Sequence, residues 1–227
     1  MSLIPLGFWK SSKPPIPTSG LKMYFNFEGG GYSGTTVTDF AGVQNGTLSG
    51  TTYNSGNGGY MAFDGVNDWI DTNRTTNGSD VGVYFGSWSI VYVIRVPNTT
   101  GNKYVYGCSN NIAFQGNALS GFEGANLTYT HSSGGNPTTT RSASTWYHVV
   151  CTFALGANTA TVYVNGSSSA SAFQETMTGA YSIYLGRTGA TATYYAFDLG
   201  LAMIYNRVLT TQEISNIYNN QRSRFGI

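Results

Sequence analysis

Residues 146–166, WYHVVCTFALGANTATVYVNG, hold two apolar runs and two turn signals. Trp146 to Phe153 is dominated by aromatic and β-branched side chains, which fit a pleated, half-buried surface better than a helix. Gly-Ala-Asn at 156–158 interrupts it, Ala160 to Val164 resumes the apolar pattern, and Asn165-Gly166 ends that run before a stretch of small residues. Asn-Gly is the preferred dipeptide where both central residues of a hairpin turn need positive φ. The stretch therefore predicts consecutive antiparallel strands joined by tight turns.

The same grammar extends in both directions. Short apolar or alternating runs recur at Met23 to Phe27, Tyr60 to Phe63, Trp88 to Val96, Lys103 to Cys108, Leu127 to Thr130, Ser182 to Leu185 and Tyr194 to Tyr205, separated by Gly, Asn, Ser and Thr clusters. Many short strands between such clusters indicate an all-β sandwich or barrel. One helix is predicted near the end: Thr210 and Glu213 stand at capping-box spacing, and Ile214, Ile217, Tyr218 and Gln221 mark one face after them. Residues 1–19 read as an extended arm, because Pro5, Pro14, Pro15 and Pro17 remove amide donors, and residues 222–227 read as a tail. Leu3, Ile4, Leu6, Phe8 and Trp9 in the arm, and Arg224, Phe225 and Ile227 in the tail, are expected to dock on this domain or on a neighbour and are assigned as assembly contacts. The globular part then spans 20–221.

Composition narrows the function. Only 9% of the 227 residues are charged, 41% are hydrophobic, 15% are aromatic and 30 are glycine, which excludes a coiled coil, a helix bundle and a charged disordered chain. A formal charge of +1 offers no footprint for a phosphate backbone, so nucleic acid is not an expected partner. No apolar run is long enough for a membrane span and no secretory leader is visible, so a reducing compartment and unbridged Cys108 and Cys151 are expected. Six Asn-x-Ser/Thr triplets are attributed to the Asn-, Ser- and Thr-rich composition.

A series of short motifs points to a family. Gly20-Leu21 leading into Tyr24-Phe25-Asn26-Phe27-Glu28, DFAGVQNGTL at 39–48, FDGVNDWI at 63–70, Trp88-Ser89-Ile90, Trp146 to Val150 with Val162 to Gly166, Tyr184-Leu185-Gly186-Arg187, and Ile204 to Thr210 follow one another in order. Together they resemble the laminin G-like domain of the concanavalin A-like lectin and glucanase superfamily. The resemblance implies an all-β fold: a two-sheet antiparallel jelly-roll sandwich with one short C-terminal helix, whose rim loops bind glycans or proteins, in some members through calcium. It also implies that FDGVNDWI is a hairpin. Many members carry an acidic pair before the IYNR strand, and Gly200 and Leu201 stand at those positions here. The opening MSLIPLGFW and the ending YNNQRSRFGI resemble virion structural proteins of tailed bacteriophages that carry this jelly roll.

Candidate chemistry is sparse. Glu28, Glu123, Glu175 and Glu213 are isolated in sequence, whereas a retaining glycosidase needs two carboxyl groups about 5 Å apart, so no catalytic residue is assigned. Asp64, Asn67, Asp68 and Asp71 form the one dense set of oxygen ligands, suited to calcium if backbone carbonyls complete the shell. The favoured alternative is that Asp64 and Asp68 accept backbone amides in a turn, and no cofactor is expected. His148 reads as a structural histidine with its hydrogen bonds satisfied, and Trp69, Trp88 and Trp146 as core or half-buried packing groups. Tyr32, Tyr60, Tyr194 and Tyr195, flanked by small residues, are the candidates for stacking on a sugar face. The resulting expectation is a non-enzymatic structural, decorating or adhesion component of a phage capsid or tail. Other virion proteins and copies of itself would be its partners, and its rim loops would bind host or environmental glycans. The alternatives are a stand-alone carbohydrate-binding lectin and a glycoside hydrolase.

Overall fold

A computed structural model describes residues 13–75, 86–98, 103–108, 118–123, 126–131, 138–173, 182–188 and 193–227. Seventeen strands are described in chain order: β1 (Leu21–Asn26), β2 (Tyr32–Ser33), β3 (Thr36–Val37), β4 (Gly46–Ser49), β5 (Thr52–Asn54), β6 (Tyr60–Asp64), β7 (Trp69–Thr75), β8 (Trp88–Arg95), β9 (Lys103–Cys108), β10 (Ala118–Glu123), β11 (Asn126–His131), β12 (Thr138–Thr140), β13 (Trp146–Ala154), β14 (Thr159–Val164), β15 (Ser167–Phe173), β16 (Ser182–Leu185) and β17 (Ala196–Tyr205). One helix, α1 (Thr211–Phe225), follows. The first sheet runs β15-β14-β13-β8-β17-β6-β5, with β1 also paired to β17, and the second runs β12-β11-β10-β9-β16-β7-β4-β3-β2. All pairings are antiparallel, so the chain is the two-sheet jelly-roll sandwich that its motifs imply.

The hairpin expected at Asn165-Gly166 is present. Val164 pairs with Ser167, and Asn165 and Gly166 adopt φ of 49° and 82°. At the preceding turn Ala154 pairs with Thr159, and Asn158 takes the left-handed conformation at φ 46°.

The first sheet is covered on both faces. Ile90, Tyr92 and Ile94 of β8, with Val149 and Cys151 of β13, point into the core between the sheets, where they meet Ile70, Val105 and Leu185 of the second sheet. The alternate residues Val91, Val93, Val150, Leu201 and Met203 point outward beneath α1 and pack on Ile214, Ile217 and Phe225. Burial on both sides explains why β8, β13 and β17 are near-continuous apolar runs rather than alternating ones. Among the described residues, no second layer lies on the outer face of the second sheet at β7 and β16, where Trp69, Asp71, Asn73 and Tyr184 are half-buried or exposed. Among the described residues, no helix is long and apolar enough to cross a membrane.

The helix starts with the expected capping box. The Glu213 amide donates to Thr210 Oγ1 at 3.2 Å, and the Thr210 amide donates to Glu213 Oε2 at 2.9 Å. Such caps contribute about 0.5–2 kcal/mol. Arg207 grips the same carboxylate at 2.6 and 2.8 Å, and its hydrogen bonds lower the Glu213 pKa to about 2.

The expected tail is part of this helix. Phe225 is buried against the Trp146 ring at 4.6 Å, and Gly226 closes the helix with φ 69°. Arg224 reaches Asn57 O at 2.9 Å, Asn26 Oδ1 at 2.8 Å and the carbonyl of Gly59, and Ile227 packs beside the cluster under the helix. Arg224, Phe225 and Ile227 are therefore intramolecular contacts, corrected from the assembly role expected of them. The described end of the arm also lies on the domain: Pro14 O accepts from Asn220 at 2.6 Å, Pro17 O accepts from Tyr205 at 3.0 Å, and Ile16 packs beside the helix cluster. Leu3, Ile4, Leu6, Phe8 and Trp9 lie outside the described residues.

Two of the motifs have a clear structural task. In DFAGVQNGTL, Asp39 accepts the amides of Tyr24, Ala41, Val43 and Gln44 at 2.8–3.1 Å and forms a buried ion pair with Arg74 at 2.7 Å. Arg74 also donates to carbonyls of Lys22, Gln44 and Thr72, so its charge is satisfied inside the sandwich. In FDGVNDWI the expectation of a hairpin is corrected: β6 belongs to the first sheet and β7 to the second, so Gly65 to Asp68 form the corner by which the chain changes sheets.

Candidate functional site

The outer face of the second sheet carries the aromatic cluster that sequence reasoning missed. Along β7, Ile70, Thr72 and Arg74 are buried, so Trp69, Asp71 and Asn73 face outward. On β16, Leu185 is buried and Tyr184 faces outward, directly opposite Asp71, which in turn stands opposite Thr47 of β4. Trp69 and Tyr184 meet edge to face with ring centroids 5.5 Å apart.

Arg187 completes the cluster. Its guanidinium carbon lies 3.9 Å from the Trp69 centroid and 4.1 Å from that of Tyr184. The backbone reaches this position because Gly186 adopts φ 87° where a Cβ would meet the Phe63 ring at 2.6 Å. On the other side, Gly107 lets the backbone of Arg187 cross β9, since a Cβ there would fall 2.1 Å from the Arg187 carbonyl oxygen. Tyr194 flanks the cluster through an antiparallel bridge to Arg187, and the Tyr195 amide donates to Gly186 O at 3.0 Å.

The four tyrosines named from sequence are not brought together. Tyr194 and Tyr195 stand beside Arg187, half-buried, with Tyr195 leaning on the core. Tyr32 is 38% exposed on the short strand β2, next to Tyr53 at 5.5 Å. Tyr60 is a correction: it is buried, packed edge-on against Trp146 at 5.4 Å and covered by Arg95, which itself pairs with Asp198. A ring enclosed in this way offers no face to a sugar.

The oxygen cluster is a corner. Asp64 Oδ1 accepts the Val66 amide at 2.7 Å and the Asn67 amide at 3.4 Å, while Asp68 Oδ2 accepts the Asp64 amide at 2.8 Å. Burial, with the Asp64 charge adding to it, raises the Asp68 pKa against the hydrogen bond from the Asp64 amide, which lowers it. Asp71 stands apart on the outer face, its Oδ1 accepting the Asn73 amide at 2.7 Å. Among the described residues, no group of three or more His, Cys, Asp and Glu side chains is placed to hold a metal ion.

The remaining candidates are structural. Glu28 pairs with Lys13 at 3.3 Å and Glu213 caps the helix, while Glu175 and the side chain of Glu123 lie outside the described residues. Cys151 is a buried thiol facing the core, and the Cys108 side chain lies outside the described set. His148 is buried under the helix near Tyr218, at 5.9 Å, but neither ring nitrogen has a hydrogen-bonding partner among the described residues, contrary to the satisfied histidine expected. Burial lowers its pKa to about 3.

Comparison with known proteins agrees with the architecture. The chain is similar to a sialidase of Trypanosoma rangeli solved with sialic acid (TM-score 0.71, 18% identity, 94% of this chain and 36% of that one). It is also similar to the receptor binding domain of botulinum neurotoxin type G (0.68, 16%, 89% and 52%) and to the binding domain of Paraclostridial mosquitocidal protein 1 (0.68, 18%, 88% and 52%). The chain thus spans between about a third and a half of each of these structures. No curated protein matches its sequence. The profile of the concanavalin A-like lectin/glucanases superfamily matches residues 64–215, from the sheet-changing corner through the start of the helix, and the chain belongs to that superfamily.

Proposed function

We infer that the protein is a non-catalytic carbohydrate-binding jelly roll, borne on a virion as a decorating or adhesion component. One observation carries the binding half of this reading: Trp69, Tyr184 and Arg187 form a half-buried aromatic and cationic platform on the outer face of the second sheet, with Thr47, Asp71 and Asn73 beside it. Sugar sites combine flat apolar surface with a few fixed polar groups, and a sheet holds such groups more rigidly than loops do. Trp69 and Tyr184 stand on strands and Arg187 follows β16 by two residues, so the rim loops are secondary to the platform.

The non-catalytic half is supported by how the carboxylates are used. Asp39 and Asp198 are in ion pairs, Asp64 and Asp68 hold the sheet-changing corner, and Glu213 caps the helix. The virion half rests on the resemblance of the opening and closing segments, of which the closing one is committed to the domain itself. Attachment would therefore fall to the segment containing Leu3 to Trp9.

A glycan array probed with the full chain and with Trp69→Ala tests the binding reading. Specific binding that the variant loses supports it, and an array with no bound glycan overturns it. Loss of particle association on deleting residues 3–9 would support the virion placement.

A further inference from the structure

The Arg187 side chain is held in an unusual state for a cation. Its guanidinium carbon lies in the angle between two rings set edge to face, and its Nε is buried with no hydrogen-bonding partner among the described residues. The arginine ion pairs of the described residues use Arg74, Arg95, Arg207 and Arg224, and none uses Arg187. A partly desolvated charge without a counter-charge is costly, and ring contacts return only part of that cost. The two rings also confine the guanidinium, which lowers the cost of ordering it for a charge-assisted carboxylate contact.

We propose that Arg187 binds a carboxylate on the glycan, so that the ligand class of this face is an acidic sugar. The inference rests on the carbohydrate-binding reading above and narrows it. Asp71 gives the site a direction. It stands opposite Tyr184 on the same face, so the carboxylate of the sugar lies over Arg187 and its hydroxyl groups lie toward Asp71 and Thr47, away from like-charge repulsion. Tyr194, bridged to Arg187, flanks the carboxylate end.

The test is calorimetric titration of the full chain with two acidic probes and their neutral counterparts: sialyllactose against lactose, and trigalacturonate against its methyl ester. At least one acidic probe binds about tenfold or more tighter than its neutral partner, a ratio expected for a charge-assisted contact. Which pair shows the preference distinguishes a sialic from a uronic acid. Arg187→Gln abolishes the preference and Arg187→Lys retains part of it. Should Arg187→Gln fail to fold, Asp71→Asn decides: removal of the like charge raises the ratio of acidic to neutral affinity several-fold, whatever it does to the hydroxyl contacts that both probes share. Equal affinity for acidic and neutral probes, a preference that survives Arg187→Gln, or an acidic-to-neutral ratio unmoved by Asp71→Asn overturns the acidic assignment while leaving neutral-glycan binding intact. Absence of any glycan binding here and on the array overturns both.

Discussion

The ring of Phe225 lies where a side chain on Gly200 would stand, 2.2 Å from the position of its absent Cβ. Gly200 leaves that space to the last turn of the helix. The glycine and the helix end are thus parts of one arrangement.

Phe225→Ala is expected to destabilise the fold by about 3–5 kcal/mol, the usual range for a buried phenylalanine. Gly200→Ala should destabilise to a similar degree, because the ring must leave. The double variant should be no worse than Phe225→Ala alone, since both remove the same contact. Urea unfolding of the three variants checks this, and additive losses would contradict it.

The ion pair of Asp39 and Arg74 is fully enclosed, so breaking one side strands the other charge. Arg74→Met is expected to cost about 3–5 kcal/mol. Asp39→Ala should cost more than Arg74→Met, because it also releases the amides of Tyr24, Ala41, Val43 and Gln44. Denaturant midpoints measured at constant pH give both numbers.

His148 makes stability fall with acid. Its folded pKa, lowered by burial to about 3, lies below the ordinary value of about 6.5, so the unfolded chain takes up a proton that the folded one refuses. Above pH 7 the group contributes nothing. Below that, each pH unit down to about 3 removes about 1.4 kcal/mol. His148→Leu should flatten the melting temperature between pH 7 and pH 4 relative to the unmodified chain, and parallel curves would contradict the assignment.

Much of the first sheet was legible because burial on both faces left unbroken apolar runs at β8, β13 and β17. The strands that escaped notice are short or poor in large side chains, such as β15 with its Ser and Ala, and β2 to β5, whose identity comes from pairing rather than from their own residues. Asp39 and Asp68 were visible as motif positions, but only the third dimension shows Arg74 reaching the first and the chain changing sheets at the second. The tail was misread because Arg-Ser-Arg-Phe looks solvated, whereas five hydrogen-bond acceptors await Arg224 and a glycine awaits Phe225. For the site, the alternation Trp69, Asp71, Asn73 against Ile70, Thr72, Arg74 held the signal. It was obscured because a buried arginine broke the pattern and a tryptophan in a strand motif suggested core.

The most direct test of the central claim is to follow the four tryptophan indole N–H resonances while a glycan bound on the array is titrated into the ¹⁵N-labelled chain. Trp69→Phe assigns the signal. The account predicts that the Trp69 resonance shifts and saturates with binding while those of the buried Trp88 and Trp146 stay in place. Saturable binding that leaves the Trp69 resonance unmoved would contradict it.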